Sequence, residues 1–525
     1  DVNSDGYDDV IVGAYGYNSY TGRSYIYFGG ASMNSVADVT MTGESTGHNF
    51  GSSVSGAGDV NNDGFSDVIV GAYGSNTNTG KAYVYFGGVS MNNIADVTFT
   101  GETSQSDFGY SVSGAGDVNG DGYHDVIIGA YGFNSGFGRA YIYFGGISMN
   151  NTADVIMIGG AIIDYFGISV SNAGDVNDDG YSDVIVGSYG YNSFTGRAYV
   201  FYGGASMNSI ADVTMTGEAT NNSFGYSVSD AGDVNGDGFA DVYVGAWAYS
   251  SSKGRAYLYY GGASMNDSVD IFMTGETSLN YFGYSVSGGG DINGDGFADM
   301  ISGAYGYNSN TGRAYVFTNT MTGTDIPDLT MTGEDSLSYF GFSVSTAGDV
   351  NRDGFSDVIV GIGGGFQNSH RAYIFFGGVF MDNSADVTFN DPLGGTMFGI
   401  SVSTAGDVNG DGYGDVIVGK WGFALSTSGV NIYFGGASMN NVADVTMMEV
   451  DLFGVSVSDA GDVNGDGYDD VIVGASGYSG WAYIYFGGTS MNNVADVTMT
   501  DENIREYFGE SVSGAGDVNG DGMMM

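Results

Sequence analysis

The sequence predicts an all-β protein, a β-propeller of four-stranded antiparallel blades built from nine repeat units. Three observations predict it. The nonapeptide Asp-x-Asn-x-Asp-Gly-x-x-Asp occurs nine times. Eight copies follow one another at a step of 58 residues, from Asp1 to Asp407; a ninth begins at Asp462 and a broken tenth at Asp517, both after steps of 55. Between the copies lie short segments rich in Val, Ile, Tyr, Phe and Thr, bounded by Gly and Asn, with no helical spacing. A fixed period with four strands per unit is the mark of a propeller blade. A β-solenoid would repeat at a much shorter step. WD40 blades are shorter too and carry a Gly-His and Trp-Asp pair that is missing here.

Residues 50–102 serve as the type unit. Phe50-Gly51-Ser52-Ser53-Val54-Ser55 alternates and opens it. The acidic loop follows from Asp59 to Asp67. Val68-Ile69-Val70-Gly71-Ala72-Tyr73 is a continuous apolar run, which reads as a strand buried on both faces. A buried helix is excluded there by length and by the flanking glycines. Lys81-Ala82-Tyr83-Val84-Tyr85-Phe86 gives the third strand, and Ala95-Asp96-Val97-Thr98-Phe99-Thr100 the fourth. Four strands of about six residues leave about eight for each connection, a comfortable fit.

The acidic loop has the chemistry of a calcium site. Side-chain oxygens at positions 1, 3, 5 and 9, with a carbonyl at 7, surround one ion, and Gly at position 6 takes the sharp turn. Three carboxylates and one amide make a hard, flexible shell that suits Ca²⁺ better than Mg²⁺. Zn²⁺ would want His or Cys, and the loops offer only His124, at a variable position. The predicted ligands are Asp1, Asn3, Asp5 and Asp9; Asp59, Asn61, Asp63 and Asp67; Asp117, Asn119, Asp121 and Asp125; Asp175, Asn177, Asp179 and Asp183; and Asp233, Asn235, Asp237 and Asp241. They continue with Asp291, Asn293, Asp295 and Asp299; Asp349, Asn351, Asp353 and Asp357; Asp407, Asn409, Asp411 and Asp415; and Asp462, Asn464, Asp466 and Asp470. An EF-hand or dockerin would continue into a helix and place an acid at position 12. Here position 9 runs straight into a strand. The ions are expected to be structural, since the loop's own ligands leave little room for substrate.

Composition narrows the function classes. Sixty-one acidic residues against 11 basic give a net charge of −50. One divalent ion in each of nine loops would bring this to about −32. Nucleic acid is excluded as a partner, because a phosphate backbone needs a basic face. No cysteine is present, so there is no disulfide framework and no thiol chemistry. No apolar run is long enough to span a bilayer, so membrane insertion is not expected. The three histidines, His48, His124 and His370, sit at unrelated repeat positions, so no His-based triad is suggested. No phosphate-cradling loop occurs. Neither catalytic nor cofactor-binding residues are predicted, beyond the calcium ligands.

Phe108-Gly109, then Gly116-Asp117-Val118-Asn119-Gly120-Asp121-Gly122-Tyr123-His124-Asp125, then Val126-Ile127-Ile128-Gly129-Ala130 resemble the FG-GAP repeat of integrin α-subunit propellers and many bacterial surface proteins. The resemblance covers essentially the whole chain. It departs at one place: the family's Gly-Ala-Pro reads Gly-Ala-Tyr (Gly13, Ala14, Tyr15), which loses proline's fixed turn and leaves the cation loop untouched. The resemblance implies a propeller, calcium in the loops joining first and second strands, and binding in place of catalysis. It also implies that the connection before each Phe-Gly, and that between second and third strands, lie on the ligand-carrying face opposite the calcium. Both connections vary between units, while the acidic loop hardly changes.

The expectation is an extracellular or cell-surface, calcium-stabilised propeller that is no enzyme. It would act as an adhesion, ligand-binding or surface-assembly module, with a protein or glycan ligand opposite the calcium loops, or self-assembly. The alternatives are a lectin-like glycan-binding propeller and the accessory propeller of a larger secreted enzyme. Residues 1–525 are expected to form one ring, with the N-terminal strands completed by a C-terminal strand at 508–512. The rival is a seven-blade ring from residues 1–406 plus two further blades. Finally, Arg23, Lys81, Arg139, Arg197, Arg255, Arg313 and Arg371 recur every 58 residues at the start of the third strand. They read as structural partners of a neighbouring acid.

Overall fold

The computed structural model describes residues 2, 10–15, 17–27, 39–88, 91–282, 286–290, 292–293, 299–317, 329–334, 338–362, 371–378, 381, 383–390, 396–422, 428–448, 452–462, 466–475, 481–500 and 512. Within them the chain forms nine antiparallel sheets, each a meander of strands consecutive in sequence. The first has three strands, 10–14, 23–27 and 39–42, and the other eight have four. In the type unit the strands are Phe50–Gly58, Asp67–Ala72, Lys81–Tyr85 and Val97–Thr100. Val54 faces Val70, Ile69 faces Val84, and Ala82 faces Phe99. The register shifts between Gly56 and Gly58, where the first strand hands over to the acidic loop.

The apolar second strand is buried on both faces, as its lack of alternation predicts. All six residues of Asp67–Ala72 are buried. Val68 and Val70 pack with Tyr83, Tyr85 and Phe50 against Ile26, Val39 and Met41 of the first sheet. Ile69, Ala82 and Val84 turn the other way, onto Val112, Val126, Ile128 and Tyr141 of the third sheet. Small side chains on one face thus receive the aromatic side chains of the next sheet. Phe50 meets Tyr83 edge-on at 5.1 Å between ring centroids. The same division holds at each junction along the chain. One further cluster joins Ala460, Ile472, Ala482, Ile484, Val497 and Met499 of the last sheet to Ala14 and Tyr25 of the first, with Val512 among them. Val512 N–H donates to Ser456 Oγ at 3.2 Å, the contact that Val112 makes to Ser53 and Val402 to Ser343 between consecutive sheets. Residues 508–511 lie outside the described residues. The strands at 340–348 and 396–406 each open a sheet of their own, paired to 357–362 and 415–422.

Consecutive units are also stitched at the backbone. Gly80, just before the third strand, bridges in parallel to Phe108 of the next unit, and five other Gly–Phe pairs repeat the bridge. Glycine is required at this spot. Its φ is +79°, and a Cβ would lie 2.1 Å from the Phe108 carbonyl oxygen.

The recurrent basic residue is a structural ion-pair partner, and its acid comes from the previous unit. Lys81 Nζ lies 2.5 Å from Glu44. Arg139, Arg255, Arg313 and Arg371 pair likewise with Glu102, Glu218, Glu276 and Glu334. Position 160, where the matching acid would stand for Arg197, is glycine. Arg197 donates to Thr216 Oγ1 at 3.0 Å and lies 3.7 Å over the Tyr191 ring. The connection between second and third strands contains a four-residue turn in six units, and successive residues in it are left-handed, as at Asn76 (φ 47°) and Thr77 (φ 60°).

His48 is the one described histidine in the interior, 1% exposed. Its Nδ1 accepts the Glu44 N–H at 3.2 Å and its Nε2 meets the Tyr83 hydroxyl at 3.2 Å. Burial pulls its pKa down to about 4, with Lys81 adding to the drop and Glu44 opposing it. The neutral ring is therefore favoured in the fold. Its stability is complete above the unfolded value near 6.5 and is lost as pH falls from there towards 4. Ser106 and Ser338 occupy the same repeat position. His48→Ser is expected to flatten the pH dependence of the melting temperature between pH 6.5 and 4; an unchanged slope would refute this assignment.

Candidate metal centre

Six acidic loops are fully described, those beginning at Asp59, Asp117, Asp175, Asp233, Asp349 and Asp407. Asp1, Asn3, Asp5, Asp9, Asp291, Asp295 and Asn464 lie outside the described residues. The loop joins the first and second strands, so it sits at one end of its sheet. The connection between third and fourth strands shares that end. The two variable connections lie at the other.

The first complete loop shows the geometry. Asp59 accepts the backbone N–H of Asp63 through Oδ1 (3.1 Å) and of Gly64 through Oδ2 (2.9 Å). Asn61 Oδ1 accepts the Asp63 N–H at 2.9 Å, and its Nδ2 donates to Asp63 Oδ2 at 2.8 Å. Asp63 Oδ1 accepts from Phe65 N–H at 3.1 Å. Nested turns of this kind are what Asx side chains form where the backbone reverses. Gly64 has φ +89° with open space around it, so backbone conformation rather than crowding selects glycine. Asp67 is fully buried and closes the loop from below. Its Oδ2 accepts Val60 N–H at 2.8 Å and its Oδ1 accepts Gly87 N–H at 2.7 Å. Asp125, Asp183, Asp241, Asp357 and Asp415 repeat both bonds.

Burial pushes the Asp67 carboxyl up to about 8, and the nearby Asp59 and Asp63 push the same way against two N–H donors. Asp415 is raised to about 8, and Asp125, Asp183, Asp241 and Asp357 to about 7, for the same first reason. A buried carboxylate facing two others is a charge arrangement that a cation would relieve. Among the described residues no group of three or more His, Cys, Asp or Glu side chains converges closely enough to hold a metal ion. The Asn61–Asp63 hydrogen bond spans the loop instead. The donor set, all oxygen and mostly anionic, is that of a hard divalent cation.

Five of the six fully described loops, those beginning at Asp59, Asp117, Asp175, Asp349 and Asp407, are tied to the unit that follows. His124 N–H donates to the Asp59 carbonyl at 3.1 Å, and Gly146 N–H to the Val60 carbonyl at 2.7 Å. Ser182 and Gly204 repeat these bonds to Asp117 and Val118, and Asp469 and Gly488 to Asp407 and Val408. The sequence gives no sign of this, because position 8 of the motif varies freely.

The opposite end carries an arc of aromatic rings. Tyr73, Tyr110, Tyr131, Tyr165, Tyr189, Tyr226, Trp247, Tyr281 and Tyr305 follow one another with ring centroids 4.6 to 6.2 Å apart. Five of these stand directly after the second strand at steps of 58, at the position of the Gly-Ala-Tyr departure. The signal was present in the sequence as a lost proline, and the structure shows what stands in its place.

Known proteins match this arrangement. The FG-GAP repeat family matches residues 1–27, 50–85, 108–143, 282–317, 340–375, 398–424 and 453–490, and the FG-GAP-like repeat matches 175–244. Integrin alpha-5 of Xenopus laevis is 31% identical over 216 residues, which cover 38% of this chain and 20% of that protein. Integrin alpha-7 of Rattus norvegicus is 34% identical over 214 residues, 38% of this chain and 18% of that one. The match spans about a fifth of the length of these relatives. Among solved structures, BBS1N in complex with ARL6DN, soaked with lead, covers 64% of this chain and 82% of its own at 9% identity, with a TM-score of 0.35, too low to bear on the fold. The repeated Phe-Gly, the acidic loop and the four-stranded sheets together make this chain a member of the FG-GAP repeat family, with the integrin-like propeller architecture.

Proposed function

We propose that the protein is an extracellular, calcium-stabilised, non-catalytic module for adhesion or ligand binding. The observation that carries this reading is the division between the two ends of the sheets. One end holds a loop repeated almost unchanged, whose buried carboxylates want a cation. The other holds connections that differ in every unit and display aromatic rings. Invariant scaffolding with variable loops on one face is how binding domains separate stability from recognition. The likeness to integrin α subunits supports the same reading. Calcium would be held by positions 1, 3, 5 and 9 of each loop and would supply charge neutralisation. Among the described residues, no helix is long and apolar enough to cross a membrane.

The ring is proposed to be single, with residues 1–525 as one domain and the C-terminal strand at 508–512 completing the first blade. The cluster shared by the first and last sheets supports this.

Beads coated with the protein are expected to adhere to cell surfaces or to one another in calcium and to release in EDTA. Tyr110 and Tyr226 are 40% and 44% exposed on the variable face. Replacing both by Ala is expected to reduce adhesion several-fold at an unchanged melting temperature. Adhesion that survives both EDTA and this double change would sink the proposal.

A further inference from the structure

The third sheet breaks the repeat along its outer edge. Its last strand, Val155–Ile158, reads Val-Ile-Met-Ile, whereas the last strand of every other described sheet contains threonine. The chain then continues Gly159-Gly160-Ala161-Ile162-Ile163, where the second unit has Gly101-Glu102-Thr103-Ser104-Gln105. Residues 155–163 thus carry no charged or hydrogen-bonding side chain. Ile158, Ile162 and Ile163 are 53%, 60% and 45% exposed.

These changes weaken the repeat's own bonding. Ile158 stands opposite Arg139, at the place where Thr216, Thr274 and Thr332 accept from Arg197, Arg255 and Arg313, and Arg139 Nε is left without an acceptor. Gly160 removes the acid that Arg197 would otherwise meet. Ile163 has φ +67°, a left-handed backbone that strains a β-branched residue; Gln105 and Asn221 hold the same turn in the neighbouring units. Apolar side chains held on the surface against such costs mark a contact.

The backbone of this edge is also uncovered. The Asn93 side chain donates to the Thr40 carbonyl, and Asn151 to that of Thr98, so in those units the next sheet shields the outer edge. The equivalent carbonyl in the third sheet is that of Ile156, and the equivalent donor position is Ser209, which has no amide. Val155–Ile158 pairs on one side only, with Arg139–Tyr143. An apolar, unshielded edge strand is a template for a further strand.

We propose that this edge pairs with the same edge of a second copy of the chain, antiparallel about a two-fold axis at Met157. Ile156 of each copy then exchanges backbone hydrogen bonds with Ile158 of the other, and two four-stranded sheets become one of eight. Charge and symmetry select the occupant. A molecule of net charge −50 repels its own kind over most of its surface, and two copies come close most easily where a segment is neutral. Residues 155–163 are such a segment. A foreign strand would have to bring a matching apolar row; a two-fold contact sets each row against its equal. The inference does not rest on what the variable face binds.

Sedimentation equilibrium over a range of protein concentrations, with calcium present, tests this. The parent is expected to pass from the mass of one chain to that of two and no further, because a two-fold contact closes. Ile158→Thr/Ile162→Ser/Ile163→Gln gives the edge the second unit's residues. It should weaken association by about tenfold or more while the melting temperature holds or rises. Ser209→Asn leaves the isoleucines in place and restores an amide over the Ile156 carbonyl, so it should weaken pairing as well. The inference is overturned if the parent keeps the mass of one chain at every concentration; if that single chain floats with phosphatidylcholine vesicles, the edge belongs to lipid. It is overturned too if the triple variant associates as the parent does. Association unchanged by Ser209→Asn would also overturn it, since the contact would then need no free backbone.

Discussion

Chelating calcium is expected to lower the melting temperature by roughly ten degrees. A site with Kd about 0.1 mM in about 1 mM calcium stabilises the folded state by roughly 1.4 kcal/mol. Summed over nine loops, that rivals the whole net stability of an ordinary domain, about 5–15 kcal/mol, and gives a shift of this size for a chain of this length. The structure adds a reason for the direction. Asp67 and its five fully described equivalents are buried carboxyls whose pKa is raised by burial and by neighbouring aspartates. Without a cation, burial and the neighbouring aspartates disfavour the ionised form of each, and a bound cation would offset that cost. Magnesium should restore little of the loss, because the loop offers a flexible shell in place of tight octahedral geometry. Scanning calorimetry in calcium, in EDTA, and in EDTA followed by excess magnesium decides the matter. Coincident calcium and EDTA transitions would end the structural-ion assignment.

Ile472→Ala and Ile417→Ala are expected to destabilise the protein equally, by about 2–5 kcal/mol each. The two residues hold the same place in the second strand of the last and the eighth sheets. Both are fully buried. Ile417 is covered by the sheet that follows it, with Val457, Val471 and Tyr483 in its cluster. Among the described residues, no later sheet follows that of Ile472. Its cluster holds Ala14, Tyr25 and Val512. In a closed ring the two isoleucines therefore leave equal cavities. In an open arrangement Ile472 would face water, and its truncation would cost well under 1 kcal/mol. Urea unfolding of the two variants side by side separates the cases, and a large inequality would refute the single ring.

Much of this molecule was legible because its chemistry repeats. The non-alternating run Val68-Ile69-Val70 announced a strand covered on both sides, and it is. The recurrent basic residue announced an ion pair, but not its distance: Glu44, Glu102 and their equivalents lie in the preceding unit, 37 residues away. Loop spacing predicts oxygen ligands for a hard cation at those positions. It could not give the details of hydrogen bonding, in which Asn61 donates across the loop to Asp63. The aromatic arc was hidden for a different reason. Tyr73 and Tyr131 stand after the second strands of consecutive units and Tyr110 just before the first strand of the later one, so they are far apart in sequence and meet only because consecutive sheets pack side by side.

The backbone bonds from each unit to the acidic loop before it have a consequence for how the protein would fill with calcium. A cation bound at Asp59 would stiffen carbonyls that are held by His124 and Gly146 of the following unit. The site and the joint between two blades are thus one mechanical element. Ordering that joint presents the neighbouring loop already in shape, so each ion lowers the ordering cost for the next, and the benefit is mutual by thermodynamic necessity. The loops would then behave as a row of linked switches, like spins coupled to their nearest neighbours. Uptake would follow a curve steeper than independent sites allow, with a Hill slope above one. The protein would stiffen across a narrow span of calcium concentration, with the threshold set by the coupling as much as by any single loop.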